Sequence, residues 1–503
     1  MANSLSNMLE ELINGRATGR RRQPKVLAMK DGIVLERIQV NRLFGRYNYD
    51  IDLKNGYNVA ILIAPNGCGK TTIFNMIDII FRPTLELFNK IVSIPFDSFV
   101  CTLSNGNRIG LSIKDATDRN EDRDDGMPPF PSGLGRGINK LDREGKDLFC
   151  TIEDCNGSYE LGILDSISLS MELERAFGDD EGVLLDFSGR SDDDYEFPDE
   201  YRFKKSRVSK TLSSAMERAM RLFREEHDCN IYMHYITADR LFSNAFRVPN
   251  IKDTIVERRR GGTPLDAIQR RIRDIYLRTD DEYKRLVSDA RDRLPKMYIE
   301  AKDTVPNNFD HFKKEWVKYL ADINKLYELG LIDSNQNILE VEQLEKAYSE
   351  KGTFLEEYLK AFKPTLEPWK REYVKLKLFS DIFDKRNEIT LKTLKYGPSG
   401  IVISVGGEEM PIEYLSSGEK NDLVMFYNLI FECDENCLVL IDEPEISLHI
   451  VWQEEFLDYL LEICKMNKLQ AIISTHSPNI VNGHFELYPE RGLQGEYSST
   501  EDR

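Results

Sequence analysis

Two hydrophobic periodicities divide the chain into regions. After Gly32, apolar and polar residues alternate in the segments IVLERIQV and RYNYDIDL, and an apolar run follows at 59–63. Alternation with a period of two, and short apolar runs, are typical of strands in a sheet. The next apolar segment, 72–81, predicts a buried helix. Residues 31–205 are therefore predicted to form the N-terminal lobe of an α/β fold.

A helical periodicity replaces the strand pattern in the middle of the chain. Trp316, Leu320, Ile323 and Tyr327 recur at intervals of three and four residues, which places them on one face of a helix. We therefore predict a mainly α-helical insertion over 206–395. The strand pattern returns in IVISV at 401–405, so residues 396–503 are predicted to form the C-terminal lobe of the same α/β fold.

Polar segments mark predicted loops and a predicted flexible terminus. Residues 1–30 are polar and contain a basic cluster, so we expect a flexible basic N-terminal segment. Two acidic segments of the N-terminal lobe, DATDRNEDRDDGMPPFPSG and GRSDDDYEFPDE, are rich in Asp, Gly and Pro. Such composition predicts exposed or disordered loops.

Composition and charge restrict the classes of partner. The chain of 503 residues has 31% charged residues and no apolar run of the roughly 18 residues that cross a bilayer, so no membrane partner is expected. Its N-terminus lacks the apolar core of a signal peptide, and we expect a cytoplasmic protein. The net charge of -18 repels a phosphate backbone, so a nucleic-acid partner, which we leave open, requires a local basic patch. Solvated helix faces and a basic tail are the favoured interpretation of the candidate patches, which are Arg20, Arg21, Arg22, Lys25, Arg258, Arg259, Arg260, Arg270, Arg271 and Arg273.

The segment APNGCGKT at 64–71 matches the phosphate-binding pattern GxxxxGK[ST] except that Ala64 replaces the first Gly. It lies between a predicted strand and a predicted helix, whose N-terminus favours a bound anion. Lys70 is predicted to contact the β and γ phosphates of ATP, and Thr71 to bind Mg²⁺. An ordinary strand-to-helix turn is the alternative. The predicted nucleotide contacts of this loop are Asn66, Gly67, Cys68, Gly69, Lys70, Thr71 and Thr72.

A second motif, LVLIDE at 438–443, is an apolar strand that ends in two carboxylates. Asp442 is predicted to hold Mg²⁺, and Glu443 is predicted to polarise the water that attacks the γ-phosphate. A helix N-cap is the alternative interpretation of the two acids. The two motifs together favour a nucleotide-hydrolysing site.

The segment LSSGEK at 415–420 resembles the LSGGQ signature of ABC ATPases. A serine hydroxyl and a glycine amide at a helix N-terminus form an anion site, which would suit a γ-phosphate. A simple serine N-cap is the alternative. The predicted contacts are Ser416, Ser417, Gly418 and Glu419.

Two further segments make the resemblance to ABC ATPases more specific. DEPEISLH at 442–449 is similar to a D-loop, and STHSP places His476 at the switch-histidine position, 33 residues after Glu443 (476 minus 443). Glu443 and His476 are therefore the predicted catalytic residues. NRLFGRYNYDIDL resembles the strand before the phosphate loop in RecF-like and SMC-like ATPases, which makes Arg42 and Tyr47 candidates for nucleotide contact. Tyr235 is either close to the γ-phosphate or part of an ordinary buried strand.

Together these motifs resemble the ABC-type ATPases of the OLD, RecF and SMC superfamily, in particular the stand-alone Septu PtuA-like ATPases of antiphage defence and their retron-associated forms. The resemblance implies an ABC-type head, a mixed sheet flanked by helices, with a large α-helical insertion. It also implies ATP hydrolysis with Mg²⁺ and a homodimer or higher oligomer that sandwiches ATP.

Only 27 residues follow His476 (503 minus 476), too few for the nuclease domain of OLD proteins. The resemblance therefore implies a sensor or regulatory subunit that controls a separately encoded nuclease or toxin effector, such as an HNH-type nuclease, or that acts in a retron complex. The alternative is a RecF-like or SMC-like DNA-repair ATPase that binds DNA directly.

Overall fold

The structure, a computed structural model, describes residues 32–54, 57–65, 67–115, 146–163, 216–237, 263–301, 308–333, 341–433, 435–448, 450–489 and 496–497. The predicted flexible segment 1–30, the basic residues at 20–25 and 258–260, and the two acidic segments except Asp115, which ends β5, lie outside these ranges. The strands are β1 Leu35–Leu43, β2 Tyr47–Asp52, β3 Val59–Ile63, β4 Ser98–Leu103, β5 Arg108–Asp115, β6 Lys146–Glu153, β7 Ser158–Gly162, β8 Met233–Ile236, β9 Lys392–Gly397, β10 Gly400–Val405, β11 Glu408–Met410, β12 Leu438–Asp442, β13 Gln470–Thr475 and β14 Glu496–Tyr497. The helices are α1 Lys70–Phe81, α2 Leu85–Val92, α3 (216–226), α4 Pro264–Glu300, α5 Phe309–Glu328, α6 Val341–Phe362, α7 Glu367–Arg386, α8 Ser417–Tyr427, α9 Ile450–Asn467 and α10 Pro478–Val481.

A parallel sheet of order β3-β13-β12-β8 forms the centre of the protein. β8 lies at its edge, where Tyr235 is opposite Leu440 of β12. The sequence prediction had placed this strand within the helical insertion. Four residues are too few for periodicity to separate a strand from a helix, so only its pairing reveals that it extends the sheet.

The second sheet is antiparallel and has the order β14-β2-β1-β4-β5-β6-β7. It contains the hairpin of β4 and β5, in which Cys101 lies opposite Ile109. The Gln470 side chain of β13 joins the two sheets, because it accepts a hydrogen bond from the backbone N–H of Leu35 at 2.9 Å and donates one to the Leu35 carbonyl oxygen at 2.7 Å. The amide of Gln470 therefore acts as a strand partner for the start of β1.

The parallel sheet separates two hydrophobic cores. Alternate residues of a strand point to opposite faces, and on β3 Ala60 and Leu62 belong to one core while Val59 and Ile61 belong to the other. The first core packs α1 and the antiparallel sheet against one face. The second core packs α4 to α9 against the other face. A parallel sheet that is covered on both faces is the arrangement expected for an α/β protein.

Four helices, α4 to α7, form the helical unit that the sequence periodicity predicts. α4 begins with a capping box in which the Thr263 side chain accepts from the Asp266 amide and the Asp266 carboxylate accepts from the Thr263 amide. Trp316 and Ile323 of the predicted apolar face of α5 are buried, whereas Tyr327 is 50% exposed. The mixed α/β class with sheets flanked by helices and a large helical region is confirmed. None of the described helices is long and apolar enough to cross a membrane.

Candidate ATPase site

The predicted motifs meet at the carboxyl ends of the parallel strands. The phosphate loop connects β3 to α1, Asp442 ends β12, and His476 follows β13 directly. Tyr235 lies on the neighbouring β8. In α/β sheets this edge is where ligands bind, because the loops there converge and helix N-termini point at it.

Two glycines give the phosphate loop its shape. Gly67 and Gly69 have φ angles of 82° and 87°, in the left-handed region that side chains disfavour. A Cβ on Gly69 would lie 2.6 Å from Cδ2 of the buried Leu43, whereas a Cβ on Gly67 would meet nothing within 4 Å. The open space at Gly67 is the cradle that a phosphate would fill. Ala64 is not among the residues with positive φ, so the missing first glycine does not strain the loop.

The Lys70 side chain spans the loop. Its exposed fraction is 5%, and Nζ donates to the carbonyl oxygen of Ala64 at 2.8 Å. Burial lowers the pKa of Lys70, although Glu443 and Asp442 oppose that effect. Nζ also lies 2.5 Å from Nε2 of His476. Among the described residues, the hydrogen-bond partners of this buried ammonium are neutral, so it is suited to bind a phosphate.

Asp442 is held by three hydroxyl groups. Oδ2 accepts from Thr71 Oγ1 at 2.8 Å and from the Tyr235 hydroxyl at 3.3 Å, and Oδ1 accepts from Ser474 Oγ at 2.7 Å. The Asp442 carboxylate and the Thr71 hydroxyl are hard oxygen donors at the edge of the phosphate loop, which fits Mg²⁺, an ion that proteins hold through one or two carboxylates together with substrate phosphates. In the described ranges, no group of three or more His, Cys, Asp and Glu side chains could hold a metal ion by itself.

Glu443 has a strained backbone at the position predicted for catalysis. Its φ and ψ are 47° and 58°, in the left-handed region, and its amide donates to the carbonyl oxygen of Ser474 at 2.8 Å. Pro444 follows and starts a short 3-10 helix. Strain of this kind costs about 1–3 kcal/mol and is concentrated at functional sites. The bend turns the chain at the end of β12 and leaves the Glu443 side chain partly exposed.

His476 lies between Lys70 and Glu443. Its Nε2 is 3.5 Å from Oε1 of Glu443, and its backbone amide donates to Oε1 of Glu445 at 2.6 Å. The pKa of His476 is lowered by burial first and by the charge of Lys70 second, so the ring is neutral at pH 7. His449 and Asn66 lie outside the described residues.

The signature segment forms the N-terminus of α8. Ser416 is the N-cap: its hydroxyl accepts from the Glu419 amide, and the Glu419 carboxylate accepts from the Ser416 amide. Glu419 also accepts from Lys392 Nζ at 2.6 Å and has an exposed fraction of 8%, so its carboxylate organises the turn. Ser417 is exposed, and a Cβ on Gly418 would meet nothing within 4 Å. Within the described ranges, no hydrogen bond or ion pair joins residues 415–420 to residues 64–71 of the same chain.

The structure adds Ser474 and Tyr49, which the motifs did not identify, and places the candidate Tyr235 on a buried strand beside Asp442. Tyr235 and Ser474 hold Asp442, and Tyr49 donates its hydroxyl proton to the carbonyl oxygen of Cys68 at 2.7 Å. Tyr49 stacks on the candidate Tyr47, with ring centroids 5.9 Å apart, and its hydroxyl joins this pair of rings to the phosphate loop. The Arg42 side chain is 60% exposed and lies 3.7 Å from Asp97. Thr72 is half-buried in the first turn of α1.

Comparison with known proteins finds a partial sequence match and similar solved structures. The chain is 34% identical over 119 residues to the Septu protein PtuA of Bacillus thuringiensis, a match that covers 21% of this chain and 30% of that protein. The chain thus matches less than a third of the length of this relative. Among solved structures, it is similar to the SmcHead bound to the C-winged helix domain of ScpA, with 12% identity, a TM-score of 0.29 and coverage of 89% of this chain and 90% of that one. It is also similar to the Smc head domain with a coiled coil and joint from Pyrococcus yayanosii, with 14% identity, a TM-score of 0.30 and coverage of 89% and 93%.

A family model described as the AAA ATPase domain matches residues 41–481, from β1 through α10. The matched region includes the phosphate loop, Asp442, Glu443 and His476. Because the match spans most of the chain, the protein belongs to the AAA ATPase domain family and is an ATPase.

Proposed function

We propose that this ATPase hydrolyses ATP in a composite site that is shared by two copies of the chain. The observation that carries the proposal is the separation of two half-sites. Lys70, Thr71 and Asp442 converge at one sheet edge, whereas the open N-terminus of α8 at Ser416 makes no described bond to that edge. A second copy could bring its α8 to the phosphate loop of the first and complete the site.

Each residue then has a separate role. The amides of 67–71 and Lys70 hold the phosphates, and Thr71 and Asp442 are the residues that would hold Mg²⁺, which supplies charge neutralisation when bound. Glu443 polarises the attacking water. His476, which is neutral and 2.5 Å from Lys70, is placed to donate a hydrogen bond to the γ-phosphate once Lys70 has moved onto the phosphates.

The test is a Glu443→Gln variant, which keeps the shape of the side chain and removes its charge. We expect hydrolysis to fall by about 10²–10⁴-fold, the usual contribution of a general base. ATP binding should persist and should trap a dimer that mass photometry detects. Glu435→Gln is the matched control, because Glu435 lies at the opposite end of β12 and its partner is Lys468 on the surface. A Glu443→Gln protein that stays monomeric with saturating ATP, or that hydrolyses it at the original rate, contradicts the proposal.

We further propose that the ATPase is the sensor or regulatory subunit of an antiphage defence system and controls a separately encoded effector. The support is the similarity to Septu protein PtuA over 119 residues. The test is phage plating on cells that carry the gene with its native neighbours, comparing the original chain with Lys70→Ala. Loss of protection in the variant is expected. Full protection by Lys70→Ala would refute a role for ATP in the defence.

Direct DNA binding receives less support from the described residues. Arg271 lies 3.8 Å from Glu432, and Arg273 lies 3.8 Å from Asp274, so part of the predicted basic patch is neutralised. Stimulation of ATP hydrolysis by DNA, with a steep dependence on salt, would favour a RecF-like or SMC-like function.

A further inference from the structure

Two ion pairs join the signature helix α8 to the end of the helical unit. Arg386 Nη1 lies 2.7 Å from Asp422 Oδ2, and Lys392 Nζ lies 2.6 Å from Glu419 Oε1. Arg386 is the last residue of α7, and Lys392 is the first residue of β9. Both carboxylates are on α8, three residues apart and therefore on one helix face. We call these two pairs the signature clamp.

The clamp is shielded from solvent. The side chains of Arg386 and Asp422 are 3% and 8% exposed, and those of Lys392 and Glu419 are 15% and 8% exposed. The Arg386 guanidinium carbon also lies 4.5 Å from the ring centroid of Phe426. Low solvent access strengthens each charge pair and limits screening by salt, so the geometry of α8 depends on where the two cations lie.

The cations are fixed to the helical unit through β9 and β10. The Ser380 hydroxyl on α7 donates to the carbonyl oxygen of Leu394 on β9 at 2.8 Å. On β10, the backbone of Ile401 exchanges two hydrogen bonds with the side chain of Gln269 on α4, at 2.8 and 3.1 Å. A displacement of α4 and α7 relative to the parallel sheet would therefore carry Arg386 and Lys392 with it.

The clamp acts on the turn that forms the signature half-site. Its carboxylate Glu419 is the residue that closes the capping box with Ser416, so Lys392 acts directly on the turn that presents the signature amides. The phosphate loop is positioned separately, through Leu43 and β3. Movement at the clamp would thus change the position of the signature turn relative to the phosphate loop.

We propose that Arg386 and Lys392 are positioning residues that tie the signature motif to the helical unit. A partner bound to the helical unit then controls whether the signature motif can complete the ATP site of a second copy. The inference rests on the proposed composite site. A buried ion pair rarely stabilises a protein more than well-packed apolar residues do. Its other role is to specify one arrangement of the packed elements, and the location of these two pairs favours that role.

The experiment compares Lys392→Gln and Arg386→Gln with Lys385→Gln. Lys385 is the matched control, since it precedes Arg386 on the same helix but its partner is Glu455 on α9. In the two clamp variants we expect about tenfold lower kcat and about tenfold faster hydrogen exchange at the Lys420 amide, which bonds to the Ser416 carbonyl oxygen. The affinity for ATP, a property of the phosphate loop, should stay within about twofold of the original. Lys385→Gln should change none of these quantities.

A double variant separates positioning from folding. Arg386→Met with Asp422→Leu replaces the buried pair by apolar side chains, which should preserve the melting temperature while kcat stays low. A double variant with the original kcat would overturn the proposal, and so would unchanged exchange and kcat in both single clamp variants. The exchange measurement needs no second copy. It therefore tests the clamp even if a monomeric Glu443→Gln protein refutes the composite site.

Discussion

Replacing Gly69 by alanine should destabilise the phosphate loop, and the geometry of the loop gives the size of the effect. Gly69 has a φ of 87°, which costs an L-residue about 1–2 kcal/mol. The new Cβ would lie 2.6 Å from Cδ2 of Leu43, a fully buried side chain that cannot move away freely. Overpacking of this kind costs a further 1–3 kcal/mol or so. Gly67→Ala is the matched control, because its φ of 82° imposes the same strain while its Cβ meets nothing within 4 Å.

Hydrogen exchange at the Ile73 amide measures the difference in destabilisation between the two variants, because this amide donates to the carbonyl oxygen of Gly69 at 2.8 Å. Since about 1.4 kcal/mol is a factor of ten, Gly67→Ala should speed exchange there by about 5- to 30-fold and Gly69→Ala by about 30- to 4,000-fold. The experiment is run on the free protein with mass-spectrometric detection. Equal acceleration in the two variants would show that the contact with Leu43 carries no energy and would refute the reasoning.

Two other residues of the site give further predictions. The lowered pKa of His476 means that the free protein disfavours the imidazolium, so the stability that the neutral ring contributes is present above about pH 6.5 and is lost as the pH falls through the lowered value. Melting temperatures recorded against pH should therefore fall less steeply on the acid side for His476→Gln, and parallel curves would contradict the assigned cause. Tyr235→Phe removes one donor to Asp442, and at 3.3 Å that bond is at the weak end of the roughly 1.5–3 kcal/mol range for charged acceptors. We expect the Mg²⁺ concentration for half-maximal hydrolysis to rise by about tenfold. An unchanged Mg²⁺ titration would leave Tyr235 with a packing role only.

The parts of the site that the sequence predicts are those specified by local patterns. The phosphate loop needs a strand, two glycines and a helix within about twenty residues, and Asp442 ends an apolar strand, so both can be recognised without knowledge of the fold. The capping role of Glu419 could also have been recognised, since serine followed three residues later by glutamate is the pattern of a capping box. Its pairing with Lys392 has no local signal.

Hydrophobic periodicity does not predict contacts between segments that are distant in the sequence. Tyr235 lies 207 residues from Asp442 along the chain, and the strand that carries it has only four residues. Its place became evident only through pairing with β12. Arg386 and Asp422 likewise belong to two helices whose packing decides whether the charges meet, and a helical pattern fixes the face of each helix without specifying its neighbour.

The pairing of β3 with β13 also has a consequence for how the protein is made. Val59 lies opposite Ala471, so the ribosome must add 412 residues (471 minus 59) before β3 finds its partner. At about 5–20 residues per second, this apolar strand waits roughly 20–80 s with an unpaired edge, which is a hazard for aggregation. The helical unit, whose contacts are more local, can fold during that interval. A nascent chain arrested before β13 should therefore resist proteolysis in the helical unit while its phosphate loop is still cut, and slower growth or added chaperone should raise the soluble yield.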